Sequence, residues 1–295
     1  MKKTLFTGMA TAMVTPMTPT GVDYDTLAKF IEFQIEEGIN ALVACGTTGE
    51  SATLSQEERK EVIRFTIDRV AGRVPVIAGV GTNNTEHVLD FAKSACDNGA
   101  DGLLVVTPYY NKATQGGLIK HFSMVADAAT VPLIMYNVPS RTGCNIAPAT
   151  VAALAEHPNI VGIKEASGNL SQIAQIAHLC GDKMDIYSGN DDQIVPVMSL
   201  GGKGVISVLS DLMPAATSKI CHDYLDGNVK EAARMQLELL PLIDALFCEV
   251  NPIPAKAAMA AMGFGENVLR LPLTPMEPQN EQKLLGLMRE QGLID

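Results

Sequence analysis

The chain has 295 residues, of which 47% are hydrophobic, and carries a net charge of −11 from 22 Lys and Arg against 33 Asp and Glu. Its length is sufficient for one large hydrophobic core, and no Ser/Gly tract or charge block marks a linker. The basic residues form no cluster, which argues against nucleic-acid and membrane-surface binding. We find no signal-peptide core and no stretch long enough to span a bilayer, so we expect a soluble cytoplasmic protein.

The six cysteines are widely spaced along the chain, at positions 45, 96, 144, 180, 221 and 248. They form no Cys-x-x-Cys pair and no cluster with histidine, so we expect no zinc site and no other metal centre. In a long acidic chain, such cysteines are most simply explained as reduced thiols in or near the core.

Short apolar segments alternate with helical patterns along most of the chain. Eight segments are predicted as strands, namely residues 11–14, 41–45, 74–78, 102–106, 133–137, 160–164, 185–188 and 204–208. Most are continuously apolar, which is typical of parallel strands covered on both faces.

The segments between the strands carry helix start and stop signals. Asp23 is placed to cap a first helix, and Gly38 is placed to end it. Ser55 and Glu58 have the spacing of a capping box at the start of the next helix. Residues 85–98 repeat the pattern with an apolar face and stop before a glycine.

This alternation predicts an α/β fold, a (β/α)8 TIM barrel with a C-terminal helical extension. A doubly wound open sheet is the alternative, but no Gly-x-Gly-x-x-Gly turn follows the first strand. From about Pro214 the pattern is helical, and Pro241 is expected to kink or divide one helix. We predict a catalytic barrel in residues 1–225 and a C-terminal helical domain in residues 226–295, which could supply an assembly surface.

Lys164 ends the sixth predicted strand, directly after an apolar run. Burial disfavours an ammonium group, so it would lower the pKa of this side chain and leave a neutral amine. A neutral, nucleophilic amine is what an enzyme needs to form a Schiff base with a carbonyl compound. Taken alone, a lysine at a strand end is more often solvated or salt-bridged.

Other predicted strands also end in polar segments, which a barrel would bring to the catalytic face. These segments are residues 46–50, 107–111, 136–141 and 188–192. Each has a structural explanation as well: a tight turn, packed aromatic residues, a surface charge or a helix N-terminus.

Taken together, these residues indicate a chemistry that none of them indicates alone. A Schiff-base enzyme acting on a 2-oxo acid needs a neutral lysine, a carboxylate site and a group that moves protons. Thr47, Tyr136 and Tyr110 are candidates for a hydroxyl relay that moves protons. Arg141 can bind the carboxylate of a second substrate in bidentate geometry.

These motifs together resemble the dihydrodipicolinate synthase/N-acetylneuraminate lyase family of class I aldolase-like barrels. The matching segments are residues 46–50, 109–111, 136–143, 164–168, 189–191 and 251–254. Within the family, the double threonine at 47–48, the tyrosine pair at 109–110 and Arg141 resemble the synthase branch rather than the lyase branch.

The resemblance implies a condensation of pyruvate with L-aspartate 4-semialdehyde to 4-hydroxy-tetrahydrodipicolinate, in lysine and diaminopimelate biosynthesis. Lys164 would form a covalent Schiff base with pyruvate, and no cofactor is implied. Tyr136 would transfer protons, with Thr47 linking it to Tyr110. In relatives, the tyrosine at this last position comes from the neighbouring subunit of a homotetramer built as a dimer of dimers.

The resemblance also implies where the substrates bind. Thr48 would bind the pyruvate carboxylate, with Gly189 and Ile206 at the same site, and Arg141 would hold the carboxylate of the semialdehyde. Two alternatives stay open. One is another pyruvate-dependent aldolase or lyase of this family, and the other is a barrel that only binds a ligand or partner.

The chain departs from lysine-inhibited relatives at a regulatory site between subunits. Those relatives carry two histidines and a glutamate, whereas the matching positions here are Gln56, Arg59 and His87. Losing a carboxylate and gaining Arg59 should weaken the binding of lysine's ammonium groups. We therefore predict weak or absent feedback inhibition by lysine.

Overall fold

The computed structural model describes residue 2 and residues 4–295. In chain order the strands and α-helices are β1 (Gly8–Ala12), β2 (Met17–Thr18), β3 (Gly21–Val22), α1 (Tyr24–Glu36), β4 (Ala41–Ala44), α2 (Gln56–Val70), β5 (Val76–Gly79), α3 (Thr85–Asp97), β6 (Gly102–Val106), α4 (Gln115–Ala128), β7 (Leu133–Asn137), α5 (Pro139–Thr142), α6 (Pro148–Ala155), β8 (Ile160–Glu165), α7 (Leu170–Cys180), β9 (Asp185–Ser188), α8 (Ile194–Ser199), β10 (Gly204–Ser207), α9 (Pro214–Leu225), α10 (Val229–Leu246), α11 (Ile253–Ala261) and α12 (Pro278–Glu290).

Eight of these strands close into a parallel barrel, which confirms the predicted fold class. Going round the barrel, the order is β1, β10, β9, β8, β7, β6, β5 and β4, and β1 pairs with both β10 and β4. Almost every barrel strand residue is buried, since side chains on one face fill the barrel and those on the other meet helices. The open-sheet alternative is therefore wrong.

The predicted helix signals operate in the structure. The Asp23 carboxylate accepts from the Thr26 amide at the start of α1. Ser55 and Glu58 form both bonds of a capping box at the start of α2. These caps satisfy amides that have no partner within the helix.

Helix α10 runs without interruption through Pro241, so Pro241 does not divide this helix, and the alternative of a kink stays a prediction. Pro241 is exposed, as is Leu237 one turn earlier. Water can therefore solvate the Leu237 carbonyl, which has lost its helical donor.

The C-terminal helices pack their apolar faces onto the barrel. Leu242 of α10, Ile253 of α11 and Leu284 of α12 belong to the same buried cluster as Phe30 and Phe122 from the barrel helices. The predicted boundary between residues 225 and 226 falls in the turn between α9 and α10 and stays a prediction. Within the part of the chain that the structure describes, no helix combines the length and apolarity needed to cross a membrane.

Candidate active site

Lys164 and Tyr136 lie side by side at the carboxyl end of the barrel. They are register partners on the neighbouring strands β8 and β7. Both are buried, with 5% of Lys164 and 7% of Tyr136 exposed. The Lys164 Nζ lies 4.5 Å from the centroid of the Tyr136 ring. The structure therefore brings together the two residues that the sequence placed at the ends of consecutive strands.

Burial makes the Lys164 amine easy to deprotonate. The pKa of Lys164 is lowered to about 8, chiefly by burial and to a smaller extent by the nearby Arg141 cation. Asp191 and Asp211 act in the opposite direction, because their carboxyl groups favour the ammonium form. Much of the population is thus neutral near pH 8, as a nucleophilic amine requires.

The Tyr136 phenol keeps its proton more firmly than an exposed phenol. Burial raises its pKa, while the Arg141 cation and hydrogen bonding with Thr47 lower it. The group is therefore a protonated hydroxyl near neutral pH, within reach of a second hydroxyl. Such a pair can pass a proton if a substrate atom lies beside Tyr136.

A cavity of about 780 Å³ opens at this end of the barrel, and its wall includes Thr47, Tyr110 and Arg141. A smaller chamber of about 30 Å³ adjoins it and is lined by Tyr136. Thr47 belongs to both walls, so it stands between the open cavity and the buried phenol. Arg141 is exposed at the cavity mouth, where a charged ligand could reach it.

Tyr110 differs from the other candidates because its side chain is 91% exposed. Its backbone has a φ of 69°, a conformation that costs energy for a tyrosine. Within the described residues of one chain, no hydrogen bond joins its hydroxyl to Thr47. One chain therefore does not close the predicted relay through Tyr110.

Thr48 and Arg141 are linked through one residue of the C-terminal region. The Asn251 Nδ2 donates to Thr48 Oγ1 at 3.0 Å, and Arg141 Nη1 donates to the Asn251 carbonyl oxygen at 3.3 Å. Thr48 is buried, with 2% exposed. Since its oxygen accepts from Asn251, its own proton is free to donate to an anion.

Gly189 directly follows β9, and Ile206 lies on β10, the two strands that follow Lys164 around the barrel. A Cβ at Gly189 would lie 2.7 Å from Ala166 Cβ and 3.0 Å from Lys164 Cε, so any side chain there would press on the lysine. Ile206 of β10 is buried, with 1% exposed, in the cluster that contains Tyr136.

Sequence reasoning missed the polar network that holds the ends of β7 and β8. Asn137 Nδ2 donates to Glu165 Oε2 at 2.9 Å, and the Glu165 Oε1 accepts from the Ser167 amide at 2.7 Å. Asn137 and Glu165 directly follow Tyr136 and Lys164, so their side chains point to the opposite face of the strands. The available signal in the sequence was a polar residue at the end of each of these two strands, directly after the candidate catalytic residue.

Two buried aspartates near Lys164 were also missed as site residues. Asp191 Oδ2 accepts from the amides of Val208 and Leu209, at 3.0 and 2.9 Å. Asp211 Oδ1 accepts from the Val14 amide at 3.1 Å. Burial raises the pKa of both carboxyl groups, most strongly for Asp211. Asp191 therefore ties the end of β9 to the end of β10, and Asp211 ties the end of β10 to the end of β1.

A second lysine is buried near the 46–50 segment. Lys256 of α11 forms an ion pair with Glu50 at 2.6 Å, and both side chains are almost fully buried. Unlike Lys164, this amine therefore has a carboxylate partner. The ion pair joins helix α11 to the 46–50 segment that follows β4.

Comparison with known proteins places the chain in a family. Residues 5–291 match the sequence model of the dihydrodipicolinate synthetase family. A protein named 4-hydroxy-tetrahydrodipicolinate synthase from Caldicellulosiruptor bescii is 53% identical to this chain, and the match covers 98% of both chains. A protein of the same name from Clostridium perfringens is 51% identical, and the match covers 98% of this chain and 100% of the relative. The crystal structure of dihydrodipicolinate synthase from Thermotoga maritima superposes with a TM-score of 0.97 at 42% identity, covering 99% of this chain and all of that one. A barrel with a buried lysine beside a tyrosine, matched over nearly its whole length, therefore belongs to the dihydrodipicolinate synthetase family.

Proposed function

We propose that this protein is a 4-hydroxy-tetrahydrodipicolinate synthase, which condenses pyruvate with L-aspartate 4-semialdehyde. The observation that carries the proposal is Lys164, an amine with a pKa lowered to about 8 that faces the Tyr136 ring at 4.5 Å. The names of relatives that are about half identical over the full length support this choice of reaction.

The chemistry begins with the neutral Lys164 amine, which attacks the C2 carbonyl of pyruvate. The resulting carbinolamine loses water to give a protonated imine, whose C3 methyl group then loses a proton to form an enamine. The enamine attacks the aldehyde carbon of the semialdehyde. The amino group of the semialdehyde then displaces Lys164 from C2, which closes the ring and frees the enzyme.

Tyr136 is the group best placed to move the protons in these steps. Its ring lies in a buried site with its centre 4.5 Å from the reacting amine, and hydrogen bonding with Thr47 acts to lower the pKa of its phenol. The proton lost by the carbinolamine nitrogen and the one gained by the departing water can both pass through this phenol.

The carboxylates of the two substrates have different partners in this proposal. Thr48 has a free hydroxyl proton for the pyruvate carboxylate, because Asn251 donates to its oxygen. Gly189 leaves room beside Lys164, and Ile206 closes the same end of the barrel. Arg141 lies at the cavity mouth and would hold the carboxylate of the semialdehyde. A related aldolase or lyase with a different acceptor would share everything except this last role.

We further propose that the protein works as a homotetramer built from dimers, with Tyr110 completing the relay of a neighbouring subunit. Tyr110 is 91% exposed and has a strained backbone conformation, so the packing of one chain alone does not explain its placement. In an assembly, the same side chain could be inserted into the partner's cavity.

Insensitivity to lysine is also part of the proposal. Arg59 is buried, with 5% exposed, and its guanidinium lies over the Phe91 ring at 4.3 Å. Gln56 and His87 are exposed, and neither supplies a carboxylate. A cation in this position repels the ammonium groups of lysine instead of binding them.

The test is to treat the protein with pyruvate and sodium borohydride, and to locate the reduced adduct by mass spectrometry. We expect an adduct on Lys164 and none on Lys256, a matched buried lysine that is held by Glu50. Folded protein without an adduct on Lys164 would overturn the proposal. An adduct without product formation from the semialdehyde would favour the alternative acceptor.

A further inference from the structure

Asn251 is a buried polar residue whose side chain uses only part of its capacity for hydrogen bonds. It lies in the segment between α10 and α11, with 5% of its surface exposed. Its Nδ2 donates to Thr48 Oγ1 at 3.0 Å, whereas its Oδ1 is buried and accepts no hydrogen bond from the described residues. A buried acceptor without a donor costs stability, so packing alone does not account for an amide at this position.

The hydrogen bond between Asn251 and Thr48 has a fixed direction. An amide nitrogen carries donors only, so the Thr48 oxygen is the acceptor and its own proton must point elsewhere. Thr48 is buried, with 2% exposed, and Asn251 belongs to the wall of the large cavity. The Asn251 amide therefore restricts the directions in which the hydroxyl proposed to bind pyruvate can donate.

The backbone around Thr48 is held by contacts that do not involve Asn251. The Thr15 hydroxyl donates to the Gly49 carbonyl oxygen at 2.8 Å, and the Glu50 carboxylate forms its buried ion pair with a lysine of α11. A threonine hydroxyl, by contrast, rotates to suit whichever partner is present. Removing the Asn251 amide should therefore release the hydroxyl of Thr48 and leave the surrounding segment in place.

The contact between Asn251 and Arg141 uses the backbone instead of the side chain. Arg141 Nη1 donates to the Asn251 carbonyl oxygen at 3.3 Å. Every substitution at position 251 keeps this carbonyl group, because each residue carries one on its main chain. Replacing the side chain therefore separates the two contacts. It removes the one to Thr48, at the proposed pyruvate site, and retains the one to Arg141, at the proposed semialdehyde site.

We propose that Asn251 is a positioning residue for pyruvate, a role that rests on the proposed function. Its amide turns the Thr48 hydroxyl proton away from itself and toward the bound carboxylate. A donor that is oriented before the ligand arrives loses little rotational freedom on binding, so this preorganisation increases the affinity for pyruvate. Asn251 does not touch the reacting atoms in this proposal and acts only through Thr48.

A double-mutant cycle with Thr48 tests this role. Adduct formation on Lys164 is followed with borohydride at increasing pyruvate, which gives the half-saturating pyruvate concentration. Asn251→Ala should raise this concentration about 3- to 10-fold, the usual range for one neutral hydrogen bond. Thr48→Val removes the hydroxyl and keeps the shape, and in that background Asn251→Ala should have no further effect. The KM for the semialdehyde should change less than about twofold, because the carbonyl contact with Arg141 remains.

Asn280→Ala is the matched control, because it removes another amide hydrogen bond of the C-terminal region, from Asn280 Nδ2 to Glu249 Oε1 at 2.7 Å. It should leave the half-saturating pyruvate concentration unchanged. Effects of Asn251→Ala and Thr48→Val that multiply in the double variant would overturn the positioning role, as would an equal rise in the KM for the semialdehyde. A folded wild type that forms no adduct on Lys164 would instead refute the proposed reaction, and this role with it.

Asn251→Asp keeps the test decisive if Asn251→Ala does not fold. A carboxylate has the shape of the amide but no donor, so it draws the Thr48 proton toward itself. The half-saturating pyruvate concentration should rise more than about 10-fold, and by a smaller factor in the Thr48→Val background, where only charge repulsion remains. An unchanged concentration, or an equal rise in both backgrounds, would contradict the proposal.

Discussion

Lys164 and Tyr136 occupy facing register positions on neighbouring strands, with the Lys164 Nζ 4.5 Å from the centre of the Tyr136 ring. The negative face of an aromatic ring attracts a cation, so it would also favour a protonated imine formed on this nitrogen. Burial meanwhile favours the neutral free amine. The buried position beside the Tyr136 ring can therefore favour both the neutral amine and the protonated imine that it forms.

Formation of the pyruvate adduct should depend on pH through the Lys164 amine. Because its pKa is lowered to about 8, the neutral fraction grows nearly tenfold per pH unit below that value and saturates above it. Aliquots are quenched into borohydride at set times between about pH 6 and pH 9. An adduct rate that stays flat over this range would contradict the assignment of Lys164 as the nucleophile.

Removing the Tyr136 hydroxyl should impair turnover much more than folding. Tyr136→Phe is expected to lower kcat by about 10²–10⁴-fold, the usual contribution of a positioned proton-transfer group. Tyr187→Phe is the matched control, since Tyr187 is a buried register partner of Lys164 whose hydroxyl donates to the Phe6 carbonyl. If both variants lose kcat equally, Tyr136 has no special role in proton transfer.

Arg141→Ala should separate the binding of the two substrates. Loss of a charge-assisted hydrogen bond costs about 1.5–3 kcal/mol, which corresponds to a rise of about 10- to 150-fold in the KM for the semialdehyde. Adduct formation with pyruvate should persist, and Arg141→Lys should recover part of the loss. An unchanged KM for the semialdehyde would show that another residue selects the acceptor.

The buried ion pair between Glu50 and Lys256 should dominate the stability of the junction with α11. Breaking it in Glu50→Gln should lower the free energy of unfolding by about 3–5 kcal/mol, because a buried ammonium group is left unpaired. The double variant Glu50→Gln/Lys256→Met should recover much of this loss. Urea unfolding measures the free energy of unfolding of both variants. Lys93→Ala is the control, because it breaks the exposed pair with Asp97 and should lower the free energy of unfolding by at most about 1 kcal/mol.

Lysine should inhibit the enzyme weakly or not at all. We expect an inhibition constant above about 1 mM, which corresponds to less than about 4 kcal/mol of binding. Replacing Gln56 and Arg59 by His and His87 by Glu should increase sensitivity, because it removes a buried cation and adds a carboxylate. An inhibition constant in the tens of micromolar for the wild type would contradict the prediction.

The sequence predicted the barrel well where a strand is uniformly apolar, and less well where backbone contacts decide its ends. Strands β6, β7 and β9 have the predicted bounds, whereas β1 begins at Gly8, three residues earlier than expected. The prediction left Gly8 outside the strand, which it began at Thr11. In the structure, a Cβ at Gly204 would lie 1.7 Å from the Gly8 carbonyl oxygen, and the Thr11 hydroxyl donates to Gln34 at 2.6 Å. Neither relationship has a local signal.

The candidate site likewise has some contacts that the sequence could predict and others that it could not. Tyr136 and Lys164 could be paired in advance, because consecutive strands of a barrel are neighbours and their ends share one face. The contact between Thr48 and Asn251 joins residues 203 positions apart, and the pair between Glu50 and Lys256 joins residues 206 apart. Periodicity and motif spacing carry no information about such separations, so only the folded chain reveals them.

Asn251 gives the C-terminal region a direct share in the substrate site. It contacts Thr48 through its side chain and Arg141 through its carbonyl group, which are the two residues proposed to hold different carboxylates. Exchanging residues 226–295 for those of a relative would therefore be expected to disturb the ligand preferences of the barrel. A chimera that breaks these contacts would inherit the specificity of neither parent.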